Sequence, residues 1–186
     1  MIYHVAKNGN DKNTGAADAP FLTISRAALV AEEGDTVRVH EGVYRETVSP
    51  ARGARSENHR ITYEATKGER VTVTGAEVLG GWVREGAVWH TAVDNSLFGT
   101  YNPYEELIDG DWMQKPLDPE TGKSLRHTGC VYIGGEALNE VSAREELLAT
   151  EMTWLATVNE STTEFLANFG ERDAEAEEIE ISVRKT

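Results

Sequence analysis

The stretch Gly34-Asp35-Thr36-Val37-Arg38-Val39-His40-Glu41-Gly42-Val43-Tyr44-Arg45-Glu46-Thr47-Val48 decides the fold. Val37 and Val39 alternate with Thr36, Arg38 and His40, and a period of two buries one face of a strand. Glu41-Gly42 then reads as a turn into a second strand around Tyr44 to Val48. The same grammar returns downstream, where Ile61-Thr62-Tyr63 alternates and Gly68 turns into Val71-Thr72-Val73. Val37 and Ile61 are 24 residues apart, as are Val39 and Tyr63. Units of strand, glycine turn and strand at one spacing point to a solenoid. In a parallel β-helix each coil stacks only on its neighbours, so equivalent strands recur after one circuit. A small α+β domain with antiparallel strands is the alternative that two units leave open.

Upstream, residues 2–5 are β-prone and Asn8 to Gly15 form a loop rich in Asn, Asp and Gly. That loop lacks the closing Glu of a calcium-binding EF-hand and reads as a plain turn. Ile24, Ala27, Ala28 and Ala31 then form the stripe of an amphipathic helix over about residues 23–32, with Thr23 as N-cap and Gly34 as stop. The small alanines suit close packing on the end of a sheet. A first coil needs such a cover, because its apolar end and unpaired strand groups otherwise face water.

The repeat breaks near Gly75. Short β-prone segments follow at irregular spacing, including Trp82-Val83, Val88-Trp89-His90, Thr153-Trp154-Leu155 and Glu164-Phe165-Leu166-Ala167. Val131-Tyr132-Ile133, then Gly134-Gly135, then Glu136-Ala137-Leu138 is a hairpin signal, since both glycines accept positive φ. One helical stretch falls at Ala143 to Leu148, and Ile179, Ile181 and Val183 share one strand face. Many short strands with glycine and proline turns suggest a sandwich whose core takes Trp82, Trp89 and Trp154. The expected fold class is therefore mainly β: a helix-capped start of a right-handed parallel β-helix, followed by an inserted β-sandwich. The domains fall at residues 1–75 and 76–186.

The chain of 186 residues carries a formal charge of −14. Such an excess argues against nucleic acid and against an anionic membrane surface, and a neutral ligand fits better. Cys130 is the one cysteine, which excludes an internal disulfide and suits a reducing compartment. The first residues show neither a basic nor an apolar signal segment, and a cytoplasmic location is expected. His4, His40, His59, His90 and His127 lack metal-ligand spacing, so no metal and no cofactor are expected. Adjacent Glu105 and Glu106 would point apart on a strand, and Asp109 and Asp111 read as turn carboxylates. Cys130 reads as a small buried residue.

The opening Tyr3-His4-Val5-Ala6-Lys7-Asn8-Gly9, then Pro20-Phe21-Leu22-Thr23-Ile24, Gly34 to Val37 and Gly42 to Glu46, is similar to the cap and first coil of pectate-lyase-like β-helix proteins. Further on, Asn102-Pro103-Tyr104, Gly110-Asp111-Trp112, Val131 to Gly135, Ala167-Asn168-Phe169 and Glu180 to Arg184 resemble the β-sandwich of family 120 β-xylosidases. In that family the sandwich interrupts an N-terminal coil and returns the chain to a long β-helix. The resemblance implies a retaining glycosidase acting on xylo-oligosaccharides, with an Asp nucleophile and a Glu acid/base. Those two residues belong to later coils and match no position here. The chain alone is therefore expected to be inactive, ending about where the main helix resumes. Trp112 matches a tryptophan at the family's substrate pocket, where an aromatic face lines a sugar subsite. A sandwich-core role is its alternative.

Two other functions remain open on the sequence: a carbohydrate-binding accessory module, and a structural cap or oligomerisation segment. Two coils leave apolar residues exposed on the last one, and solenoids need three or more repeats. A homo-oligomer joined near Ile61, Tyr63, Val71 and Val73 is expected on that ground.

Overall fold

The structure, a computed structural model, describes residues 1–108 and 126–184. Its described residues form a mainly β protein with several separate sheets, none closed into a barrel, and two short α-helices. The chain divides into two compact units, residues 1–75 and 76–185.

The first unit holds strands β1 (Ile2–Val5), β2 (Thr36–Val39), β3 (Gly42–Arg45), β4 (Thr62–Ala65) and β5 (Val71–Thr74), with helix α1 (Ile24–Val30) between β1 and β2. The pairings between these strands are all parallel. One sheet runs β1-β2-β4 and the other β3-β5. Val37 and Val39 are buried while Thr36 and Arg38 are half-buried, so the alternation in the sequence reports the buried face.

The register differs from the 24-residue spacing. Val37 pairs with Tyr63 and Val39 with Ala65, a step of 26 residues. Gly42 pairs with Val71 at a step of 29. Backbone bonds at the strand ends fix these steps: Thr62 N–H donates to Asp35 O (2.9 Å) and Thr66 N–H to Val39 O (2.8 Å). A shift of two leaves every side chain on its original face, so the pattern survived while the pairing moved.

Helix α1 is covered by Thr23, whose Oγ1 accepts from Arg26 N–H (3.0 Å). Two distant carboxylates complete the entry. Asp11 accepts from Leu22 N–H, Thr23 N–H and Thr23 Oγ1, each at 2.9 Å. Glu46 accepts from Ile24 N–H (2.9 Å) and Ser25 N–H (2.7 Å). Negative charge is favourable there, and these bonds satisfy donors that the helix itself leaves unpaired. The Asn- and Asp-rich loop is thus a turn whose Asp11 serves the chain. The helix ends at Val30 with Ala31 as its C-cap, earlier than Gly34, which instead turns the chain at φ +79° ahead of β2. Ile24, Ala27, Ala28 and Ala31 bury the predicted stripe.

The second unit holds β6 (Ala76–Val78), β7 (Val83–Glu85), β8 (Val88–Asp94), β9 (Val131–Ile133), β10 (Glu136–Ala137), β11 (Asn139–Glu140), α2 (Arg144–Ala149), β12 (Thr153–Val158), β13 (Thr162–Asn168) and β14 (Ile179–Ser182). Two sheets, ordered β10-β9-β14-β6 and β11-β12-β13-β8-β7, share one core in a sandwich-like arrangement. Val131, Ile133, Ile179 and Ile181 come from the first sheet; Trp89, Trp154, Phe165 and Ala167 come from the second. The Gly134-Gly135 hairpin forms as its sequence predicts, with φ of +54° and +81° between β9 and β10. Helix α2 covers the outer face of the five-stranded sheet through Leu147, packed with Val88 and Val141.

Candidate functional site

Trp112, the residue singled out for sugar contact, lies outside the described residues together with Asp109 and Asp111. The chain on either side of that segment is described, and it is fastened to the sandwich core. Asn102 N–H2 donates to Thr163 Oγ1 (2.9 Å), and its Oδ1 accepts from Tyr104 N–H (3.0 Å). Tyr104 then turns inward and its hydroxyl donates to Cys130 O (2.8 Å). Its ring meets Trp154 and Phe165 edge-on at 5.4 and 4.7 Å between centroids. Burial, followed by Cys130 as the next cause, holds its phenol well above the ordinary range. Gly129 is required beside it, because a Cβ there would lie 2.5 Å from the Tyr104 ring.

Residues 106–108 and 126–128 then run antiparallel. Ile108 N–H donates to Arg126 O (2.8 Å), Thr128 N–H donates to Glu106 O (2.9 Å), and Leu107 bridges His127. Glu140 secures the second strand, accepting from His127 N–H (2.8 Å) while its other oxygen meets His127 Nδ1 (2.5 Å). Its side chain is only 7% exposed. Both oxygens of Glu140 thus contact His127 and tie β11 to residues 126–128. Glu105 and Glu106 are exposed, Glu105 in a turn and Glu106 at its end, where the antiparallel pairing begins. Cys130 is half-buried, more open than the small core residue expected.

Each unit also carries concave regions among its described residues. On the outer face of the five-stranded sheet, a groove of about 480 Å³ carries Glu85, Glu164, His90 and Arg144 over Val83 and Leu166. Glu85 is level with Val88 and Glu164 with Ala92. Their backbones are therefore about 13 Å apart along the strand direction. A retaining glycosidase needs its carboxyls about 5 Å apart, so this spacing does not favour such a pair. In the first unit, an apolar groove of about 320 Å³ is lined by Val39, Tyr63, Ala65, Val71 and Val73. A polar cleft of about 510 Å³ holds Lys7, Asp18, His40, Glu41 and Glu69.

Among the described residues no group of three His, Cys, Asp or Glu side chains is placed to hold a metal ion. No helix there is long and apolar enough to cross a membrane. The fold does bring His4 and His40 together, a pairing that a search for short local spacings missed. Parallel strands one circuit apart created it.

The sequence profile "Glycoside hydrolase 120, insertion domain" matches residues 79–153, and that of a protein family of unknown function (DUF1565) matches residues 7–81. The insertion-domain match and a whole-chain structural likeness both point to the glycoside hydrolase 120 family. Among solved structures it is similar over its full length to XylC, determined in complex with xylose, with a TM-score of 0.88 and 40% identity. It spans 32% of the XylC chain. The uncharacterized protein YwoF of Bacillus subtilis (strain 168) is 33% identical over 75 residues, covering 40% of this chain and 16% of YwoF.

Proposed function

We propose that this chain is the N-terminal, non-catalytic part of a retaining β-xylosidase acting on xylo-oligosaccharides in the cytoplasm, and that it helps shape the substrate cleft. The whole-chain similarity to XylC, solved with xylose, carries this reading. The in-register parallel pairs of the first unit support its assignment as the start of a right-handed β-helix capped by α1. The two sheets around one core support residues 76–186 as the inserted sandwich domain. Trp112 offers its ring to the apolar face of a xylose unit. Tyr104 and Glu140 fix the chain that leads to and from it. The nucleophile and the acid/base belong to coils beyond this chain.

The test is a xylosidase assay on the 186-residue chain and on the protein encoded by its whole reading frame. The isolated chain is expected to release no xylose and the longer protein to release it. In the longer protein Trp112→Ala is expected to raise KM several-fold and leave the melting temperature unchanged. Activity of the 186-residue chain itself would refute the non-catalytic assignment.

A second reading, a structural cap and oligomerisation segment, is favoured by burial along the strand stacks of the first unit. Val5 is 0% exposed and Val39 4%, yet Ala65 is open; Tyr44 is 1% exposed and Val73 51%. Among the described residues, strands β4 and β5 each pair on one side only. Light scattering distinguishes this reading, since it requires a homo-oligomer through that face.

A further inference from the structure

His4 in β1 and His40 just beyond β2 stack, with ring centroids 5.3 Å apart and planes at 20°. His4 Nδ1 lies 3.0 Å from His40 Nε2. The other nitrogen of His40, Nδ1, faces both Glu69 oxygens at 3.3 and 3.2 Å, and Thr66 Oγ1 at 3.3 Å. Glu69 in turn accepts from Glu41 N–H (2.7 Å). These three side chains form one hydrogen-bonded row across three chain segments, ending at His4 of β1, whose N–H donates to Gly15 O (2.7 Å) and whose carbonyl accepts from Phe21 N–H (2.9 Å). Strand β1 pairs only with β2 within its sheet, and His40 N–H donates to Val5 O (2.8 Å) beside the imidazole contact.

The row admits a limited number of protons. At 3.0 Å the contact between the two rings needs one hydrogen: one nitrogen donates and the other accepts. His40 can carry a full positive charge, donating from Nδ1 to Glu69 and from Nε2 to His4. If His4 also becomes charged, its Nδ1–H points at the Nε2–H of His40, and two like charges meet across stacked rings. The other charged groups nearby do not relieve this. Arg38 is level with His4 but its guanidinium is bonded to Glu64 (3.0 and 2.8 Å). Lys7 lies over the Tyr44 ring at 5.0 Å, and Asp18 and Glu41 line the cleft on the His40 side.

We propose that the His4–His40 pair is an acid-sensitive latch, which fastens β1 to β2 with one shared proton and releases it when a second proton binds. Burial, then the charges of His40 and Arg38, hold the His4 imidazole below its ordinary value, in agreement with this geometry. The stability that the latch contributes is present above the unfolded value of 6.5 and is lost as pH falls from there through the lower folded value.

The experiment is an NMR titration of the imidazole signals from pH 8 to 4, with amide exchange followed at residues 2–5 and in the sandwich sheets. The pair is expected to take up its two protons in separate steps, the second at lower pH. Exchange of the β1 amides should accelerate by about tenfold with the second step, while the sandwich amides stay protected. In His4→Gln, and independently in His40→Gln, the acid-induced acceleration should disappear. Coincident titration of both rings, or loss of protection throughout the protein at the second step, would overturn the proposal. Because the wild-type titration decides by itself, a variant that fails to fold leaves the question answerable.

Discussion

Glu46 sits beyond β3, yet its carboxylate is bound to the first two amides of α1 and to the Ser25 hydroxyl. Each such bond replaces water at a helix end that has no partner of its own. Glu46→Ala is expected to cost about 1–2 kcal/mol, read from the urea midpoint, and Glu46→Gln less. In the sandwich, Trp154 is 1% exposed and meets Tyr104 edge-on. Truncation to Ala leaves a cavity and is expected to cost about 3–5 kcal/mol. Asp35 is held below its ordinary value of 3.8, first by the hydrogen bond from the Met1 amino group and then, against the cost of burial, by Glu32 N–H. Its contribution is therefore complete above about pH 4 and is lost as pH falls through the lower folded value. Denaturation midpoints measured from pH 6 down to 3 should fall in that range, and Asp35→Asn should flatten this part of the curve.

At the scale of elements, β4 and β5 set the behaviour of the first unit. Each is paired on one side only, and Tyr63 and Val73 remain 36% and 51% exposed beside the apolar groove. Open strand edges with apolar neighbours invite pairing with another chain. The 186-residue chain is expected to self-associate at high concentration. The double substitution Tyr63→Lys with Val73→Glu should restore a monomer by light scattering. Persistence of the association in that variant would move the interface elsewhere. At the hairpin, Gly134 has φ +54° and a Cβ there would lie 2.4 Å from Arg172 Nη2. Gly134→Ala is strained by that positive φ and displaces the Arg172 guanidinium, and the loss belongs to the β9–β10 turn.

Over the whole molecule, two kinds of sheet are built from one alternating pattern. In the first unit the strands pair in parallel and each neighbour is a circuit away along the chain. In the second, β8, β12 and β13 pair antiparallel around buried aromatic rings. Similarity to XylC over the full length of this chain, which spans about a third of XylC, directs the functional test to the longer protein.

What the sequence determined by itself was local. Alternation at Val37 and Val39 showed which face is buried, Thr23 marked the helix start, and Gly134-Gly135 placed a hairpin, because each is a property of neighbouring residues. For β2 and β4 the 24-residue spacing came within two residues of the true register, and alternation could bring it no closer, since a shift of two leaves the faces unchanged; for β3 and β5 it fell five residues short. Tertiary structure alone decided the rest. It drew Glu46 and Asp11 to the start of α1, bound Glu140 to His127, and set His4 against His40. Those partners are distant in the chain, and only the register of the strands, with the hydrogen bonds that fix it, brings their polar atoms within reach.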